Sequence, residues 1–293
     1  VNTYAATVLG RRRLSAHLVT VTLEVEGDFT GTGVPDEYLR VMIPPPGAEL
    51  VLPTIDERYT VTYPDGAVEP AARVYTISDL RVVDSRVQID LDIALHERGV
   101  GSDWARGCAP GDRVGLVEPH GLYSAPDGVT EQLLVADITG LPALARILRG
   151  LQPGQRASAV VVLTDTDDRI ALPSPAEVDV EWVLVANEGL ISEALSGAVL
   201  GAQLPDSDRY VWLAGEARAS RAVRKHLRRE LGWPQSDFYT CGYWQVDAET
   251  WNARYEQVAD QVISEAVQAQ EASAGDEGAY LDALEDIYDR AGL

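Results

Sequence analysis

The spacing of apolar residues changes near residue 128, and few architectures accommodate both patterns in one chain. Upstream, short β-branched stretches recur: Leu18–Leu23, Tyr38–Ile43, Arg58–Tyr63, Arg73–Ile77, Val87–Ala94 and Val114–Val117. Turn residues separate them at Gly27-Asp28, Pro44-Pro45-Pro46-Gly47, Pro64-Asp65-Gly66 and Pro110-Gly111-Asp112. Many short strands with such punctuation predict an antiparallel barrel or sandwich, with one short helix over Ser102–Arg106. Downstream, apolar runs lie at Gln132–Ala136, Ala157–Leu163, Val178–Val185 and Arg209–Ala214, with helical stretches at Leu141–Leu148, Leu190–Ala198 and Ala219–Leu231. Apolar strands alternating with helices predict a parallel, Rossmann-like sheet of βαβ units. The chain is therefore read as two domains and a tail: an antiparallel β-barrel over residues 1–126, an α/β domain over 127–245, and an acidic helical tail over 246–293.

Composition narrows the class. A length of 293 residues fits two domains, and 46% hydrophobic with 24% charged residues is an ordinary globular profile. No apolar run approaches the length of a membrane span, and Val1–Arg13 lacks the apolar core of a signal peptide. A cytoplasmic protein, and a monomer, is the expectation. The balance of 24 basic against 46 acidic residues, net −22, argues against binding nucleic acid or anionic lipid. Cys108 and Cys241 match no zinc or CxxC spacing and are read as two free thiols in a reducing compartment.

The tail carries much of that charge. Trp251, Tyr255, Val258, Val262 and Ala266 recur at helical spacing, so a docked helix is expected, then a linker over Ala272–Gly278 and a final helix over Tyr280–Tyr288. It either covers its own protein or binds a partner.

Several motifs are absent: the chain has no complete GxGxxG, no P-loop, no HExxH and no GxSxG, and its four histidines are scattered. No protein-held metal site is expected. Six short segments remain. Arg73-Val74-Tyr75-Thr76 ends a predicted strand; its guanidinium suits a phosphate, its ring can stack near an isoalloxazine, and its hydroxyl can approach the N5 edge. Leu95-His96-Glu97-Arg98-Gly99-Val100-Gly101-Ser102-Asp103-Trp104 is a Gly-rich turn running into a helix, whose free N–H groups can receive a pyrophosphate. Then come Gly111-Asp112-Arg113 to Glu118-Pro119-His120-Gly121; Leu133 to Ala136-Asp137-Ile138-Thr139-Gly140-Leu141-Pro142; Ala214-Gly215-Glu216; and Cys241-Gly242-Tyr243-Trp244.

In this order, over about residues 5 to 245, the segments resemble the siderophore-interacting proteins, a branch of the ferredoxin–NADP reductase superfamily. The resemblance implies an FAD-binding barrel, an NAD(P)H-binding α/β domain, and reduction of a ferric siderophore. It implies that Arg73, Tyr75 and Thr76 contact the flavin and its phosphate, with Tyr75 and Thr76 at the reacting ring. His96, Gly99, Val100, Gly101 and Ser102 face the pyrophosphate, and Trp104 packs behind them. Asp137 and Thr139 sit near the adenylate end. Ala214, Gly215 and Glu216 line the nicotinamide cleft, and Tyr243 and Trp244 close it. The chain departs from the family pattern at Val100, Glu118, Ile138, Gln245 and Asp247.

The implied chemistry is hydride transfer from NADPH or NADH to the flavin, then single electrons to Fe(III), so no protein iron ligand is required. A flavin oxidoreductase serving another acceptor, and a binding module that has lost FAD, are the alternatives. One local feature opposes the global charge. Arg218, Arg221, Arg224, Lys225, Arg228 and Arg229 crowd twelve residues, and Lys225 is the lone lysine. With Val223, Leu227 and Leu231 as the apolar stripe, Arg221, Arg224, Lys225 and Arg228 share an outer face. That face either recognises an anion, a 2′-phosphate or a ferric siderophore, or is solvated and offset by the tail. Asp165, Asp167 and Asp168 are the alternative, a group selecting a ribose 2′-hydroxyl.

Overall fold

The computed structural model describes residues 1–56, 59–246 and 248–293. Arg58, the first residue of one predicted strand, and the departure at Asp247 lie outside the described residues.

The upstream half is a closed antiparallel barrel. Its strands are β1 (Thr3–Arg13), β2 (Leu18–Val25), β3 (Tyr38–Ile43), β6 (Ala71–Val83), β7 (Arg86–Ala94) and β8 (Arg113–Val117). They close in the order β1-β2-β7-β6-β3-β8, while β4 (Thr54–Ile55) and β5 (Val61–Thr62) form a separate small ladder. Alternation sets the faces. Along β7, Ile89, Leu91 and Ile93 are fully buried inside, whereas Asp90 and Asp92 point outward and accept Thr22 Oγ1 at 2.7 Å and Thr20 Oγ1 at 2.6 Å. Helix α1 (Val100–Gly107) follows β7 and packs Trp104 and Ala105 on the barrel core.

The downstream half is a parallel five-stranded sheet in the order β11-β10-β9-β12-β13. Its elements are β9 (Glu131–Asp137), α2 (Leu141–Gly150), β10 (Arg156–Leu163), β11 (Glu177–Leu184), α3 (Ile191–Leu200), β12 (Arg209–Glu216), α4 (Ala217–Lys225) and β13 (Phe238–Trp244). The continuous apolar runs of β9, β10 and β12 are buried on both faces, one under α2 and the other under α3 and α4. The winding reverses between β9 and β12, so the carboxyl ends of these neighbours mark the crevice where such sheets bind ligands.

Buried polar groups fasten the halves together. Arg146 donates to Glu37 Oε1 at 2.6 Å and to the Ile77 carbonyl at 2.7 Å. Asp36 accepts from Leu122 N and Tyr123 N at 2.8 Å each and from Trp212 Nε1 at 3.2 Å. Asp168, 1% exposed, accepts from Ser15 Oγ and His17 N and bonds His17 Nδ1 at 2.7 Å. Glu37 and Asp36 are almost wholly buried, so each bond also spares the cost of an unpaired charge.

The tail forms two helices, α5 (Ala248–Ala272) and α6 (Glu277–Ala291), packed on each other. Four expectations need correction. The first strand, β1, is the second longest in the barrel yet went unread, because its alternation is of Thr, Ala and Arg rather than aliphatics. Of the strand expected over Arg58–Tyr63, the described residues keep only Val61–Thr62. The basic helix stops being α-helical at Lys225 and continues as one π turn over His226–Glu230. Leu231, expected in the apolar stripe, is 50% exposed. Cys108 and Cys241 are free, as read from their spacing.

Candidate functional site

A cleft of about 480 Å³ opens between the barrel and the sheet. Strand β6 brings Arg73, Tyr75 and Thr76 to it; the α1 turn brings His96, Gly99, Gly101 and Ser102; the β9–α2 turn brings Thr139; and β13 brings Cys241 to Trp244. Residues far apart in sequence thus meet at one place, and its size is that of a cofactor pocket.

Close approach of α1 to β6 depends on Gly101. A Cβ at this position would lie 1.8 Å from the Tyr75 hydroxyl oxygen and 3.6 Å from Arg73 Cγ. Gly99, with φ of +132°, supplies the turn that a side chain would resist. Gly99 is also the N-cap of α1 and provides no side-chain cap, so the first-turn N–H groups are open toward the cleft. Ser102 Oγ accepts from His96 N at 2.9 Å and ties the turn to the helix.

Arg73 Nη1 donates to the Ala72 carbonyl at 2.7 Å, and among the described residues no carboxylate pairs with it. Burial pushes the Tyr75 phenol up to about 12 against the opposing pull of Arg73, so it stays protonated and is a hydrogen-bond donor at neutral pH. Thr76 is 5% exposed and lines the cleft with Tyr243, whose phenol burial pushes well up. Burial likewise pushes the Cys241 thiol up and keeps it protonated.

Not every residue named from the sequence reaches the cleft. Val100 points to solvent, 41% exposed, and Trp104 packs on the barrel core behind the turn. Asp137, Ala214 and Glu216 are fully buried. The Asp137 carboxylate is taken up by Thr139, Gly140 and Trp244, and the Glu216 carboxylate caps α4. None of these five, nor Gly215, lines the cleft.

The basic face of α4 is covered by α6. Arg224, 8% exposed, donates to Gln235, to the Gly278 carbonyl at 3.0 Å and to Asp282. Arg228 Nε reaches Asp282 Oδ2 at 3.1 Å. Arg229 reaches Asp286 Oδ1 at 2.7 Å and Glu285 Oε2 at 3.4 Å. Three arginines therefore meet three tail carboxylates. Lys225 remains exposed and Arg221 half-buried, both outside the cleft lining. The outer face expected to hold Arg224 is an inner one. Asp168, weighed as a ribose-selecting acid, is spent on the domain junction. Its neighbours His17 and Asp165 bring their ligand atoms within 4.8 Å, but both Asp168 oxygens already hold protein donors.

Sequence reasoning missed Tyr38, Asp92, Arg98 and Gly242 and left Cys241 without a role, although all five line the cleft. Arg98, Cys241 and Gly242 lay inside quoted segments. Asp92 gave no local signal, because strand pairing alone brings it beside Thr20 and Ser78.

Comparison with known proteins places these features. The model of the siderophore-interacting FAD-binding domain matches residues 7–123, and that of the siderophore-interacting protein matches residues 129–247. An Escherichia coli protein described as an NADPH-dependent ferric-chelate reductase is 30% identical over 246 residues, 82% of this chain and 92% of that one. The ferric vibriobactin reductase ViuB of Vibrio cholerae is 24% identical over 242 residues, 80% of this chain and 86% of that one. A siderophore utilization protein from T. fusca superposes with a TM-score of 0.71 at 26% identity, covering 84% of this chain and 94% of that one. Barrel, sheet, ordered motifs and cleft together make this chain a member of the siderophore-interacting protein family.

Proposed function

We propose that the protein is an FAD-dependent reductase of ferric siderophores, drawing its electrons from NADPH or NADH. The observation that carries this is the cleft wall in which Arg73, Tyr75 and the uncapped start of α1 converge around Gly101. These residues fit a flavin nucleotide. A guanidinium with no carboxylate partner among the described residues and uncapped backbone N–H groups suit its phosphates, and an aromatic, largely apolar enclosure suits its ring.

FAD bound there supplies the passage from a two-electron hydride donor to a one-electron iron acceptor. The chain's own residues bind, orient and exclude water. Arg73 holds phosphate. Tyr75 stays protonated and lies against Gly101, so its ring cannot swing toward α1. Thr76 is nearly buried on β6, paired with Tyr38 of β3, which holds its place on the cleft wall. His96, Gly99 and Ser102 complete the phosphate side, and Tyr243 with Trp244 closes the opposite wall. The ferric siderophore is the substrate. Among the described residues no helix is long and apolar enough to cross a membrane, and a cytoplasmic monomer with its barrel domain over 1–126 and α/β domain over 127–245 is the working organisation.

The test is direct. The purified protein is titrated with FAD and its visible spectrum recorded. It is then reduced anaerobically with NADPH and, separately, NADH, and given ferric siderophores with a ferrous chelator as trap. Saturable flavin binding with siderophore-dependent ferrous release is the expected result. No flavin band at excess FAD overturns the reading.

A further inference from the structure

Two buried carboxylates close the carboxyl ends of β9 and β12, and the chemistry above uses neither. Asp137 ends one strand and Glu216 the other, each 0% exposed. The strands are parallel neighbours with Ala214 opposite Ala136, which sets Gly215 beside Asp137. Gly215 has φ of +157°, and a Cβ there would lie 2.4 Å from Asp137 Oδ2. The missing side chain at 215 is what makes room for the carboxylate.

Each acid has two kinds of partner. Asp137 Oδ1 accepts from Thr139 N at 2.8 Å, Thr139 Oγ1 at 2.6 Å and Gly140 N at 3.4 Å; its Oδ2 accepts from Trp244 Nε1 at 2.7 Å. Glu216 Oε2 accepts from Arg218 N at 2.8 Å and Ala219 N at 3.2 Å; its Oε1 accepts from Val246 N at 3.3 Å. The first set is the Thr139 hydroxyl and N–H groups at the starts of α2 and α4, the donors a phosphate uses at such a crevice. Here they are already bonded, and an incoming phosphate would have to displace a carboxyl group from them. The second set lies on one short stretch, Trp244 and Val246, just where the chain leaves the sheet for the tail.

We propose that Asp137 and Glu216 are positioning residues, a two-point clasp that fixes residues 244–246 and makes Trp244 a rigid wall of the cleft, and that neither touches a nucleotide. The indole then stands against the His96 ring, centroids 6.5 Å apart, at the edge of the α1 turn. Neither acid lines the cleft, and Asp137 bonds two residues that do, Thr139 and Trp244. The consequence for binding rests on the flavin reading; the clasp itself does not.

The experiment uses the full chain carrying 5-fluorotryptophan, whose six tryptophans give six fluorine resonances. Trp244→Phe removes one and assigns it. In flavin-free protein, Asp137→Asn is expected to shift or broaden the Trp244 resonance and leave the distant ones in place. Glu216→Gln is expected to move the same resonance less, because it acts through Val246. An unmoved Trp244 resonance in both variants overturns the clasp, and Glu216→Gln decides alone should Asp137→Asn fail to fold. A second arm measures FAD affinity. Asp137→Asn and Trp244→Phe should each weaken it about tenfold and the double variant no further, since coupled neighbours are not additive. A product of the two losses, or lost affinity with an unmoved indole, assigns Asp137 a direct ligand contact and overturns the proposal. Wild-type protein that binds no flavin ends the flavin reading while the fluorine signal still decides the clasp.

Discussion

Gly101 stands directly against Tyr75: a Cβ on the glycine would overlap the phenol oxygen at 1.8 Å. The contact joins the start of α1 to β6 and so sets the width of the cleft on its phosphate side. Gly101→Ala must displace the ring or the helix. FAD affinity is expected to fall at least about tenfold, with the barrel still folded, since the loss is of geometry in a site held to fractions of an ångström. Flavin titration with far-ultraviolet circular dichroism checks both halves.

Among the described residues Arg73 is a cation without a carboxylate. Arg73→Ala should weaken FAD binding by roughly 10- to 100-fold, the range of one lost charge-assisted hydrogen bond to phosphate, about 1.5–3 kcal/mol. Arg73→Lys should recover only part of it, because a point charge lacks the fork. Full flavin occupancy in the alanine variant would remove Arg73 from the phosphate site.

Asp282 serves Arg224 and Arg228 at once. Asp282→Ala leaves Arg224 buried with its main counter-charge gone. The expected cost is about 1–3 kcal/mol, below that of a fully enclosed pair because Asp282 itself is 29% exposed. Hydrogen exchange should show α6 loosened while the amides of β9 and β12 keep their protection. Unchanged exchange in α6 would mean that its apolar contacts alone hold it.

Asp92 gives a pH signature. Burial raises its folded-state pKa above the ordinary 3.8, outweighing the hydrogen bonds from Thr20 and Ser78. A carboxyl raised in the folded state stabilises the fold fully below its unfolded pKa, and that contribution is lost as pH rises through the folded value. Asp92→Asn does not titrate. Its stability relative to wild type should therefore rise with pH through a window that opens at about 3.8. Urea denaturation of both proteins across that range gives the slope, and a flat or falling difference counts against the assignment.

The parts of the fold written in local pattern were legible in the sequence. Ile89, Leu91 and Ile93 announced a half-buried strand, and the unbroken apolar run Leu133–Ala136 announced a two-sided one. The cleft lining was legible where it is local: Arg73, Tyr75 and Thr76 on one strand, and Gly99, Gly101 and Ser102 on one turn, with Val100 between them turned out to solvent. It was not legible where distant segments decide. Arg224 carries the same charge whether it faces solvent or α6, and only tertiary contact buries it against Asp282. Asp137 and Glu216 ended apolar strands, which is where ligand-binding acids also sit, and nothing local distinguishes an acid aimed at a ligand from one aimed at Trp244. Asp168 was read with its sequence neighbours, but its partners Ser15 and His17 lie some 150 positions away.

The buried junction between barrel and sheet has a kinetic consequence. Parting the halves would strip Glu37 from Arg146, Asp36 from Trp212 and Asp168 from His17 together, three buried carboxyl groups losing partners in a single step. Turnover that required such parting would be throttled by solvent friction. A cleft with walls already in register lets reactants come and go by diffusion alone, so adding sucrose or glycerol should slow the encounter with the iron complex and leave the first-order reduction within the assembled complex untouched.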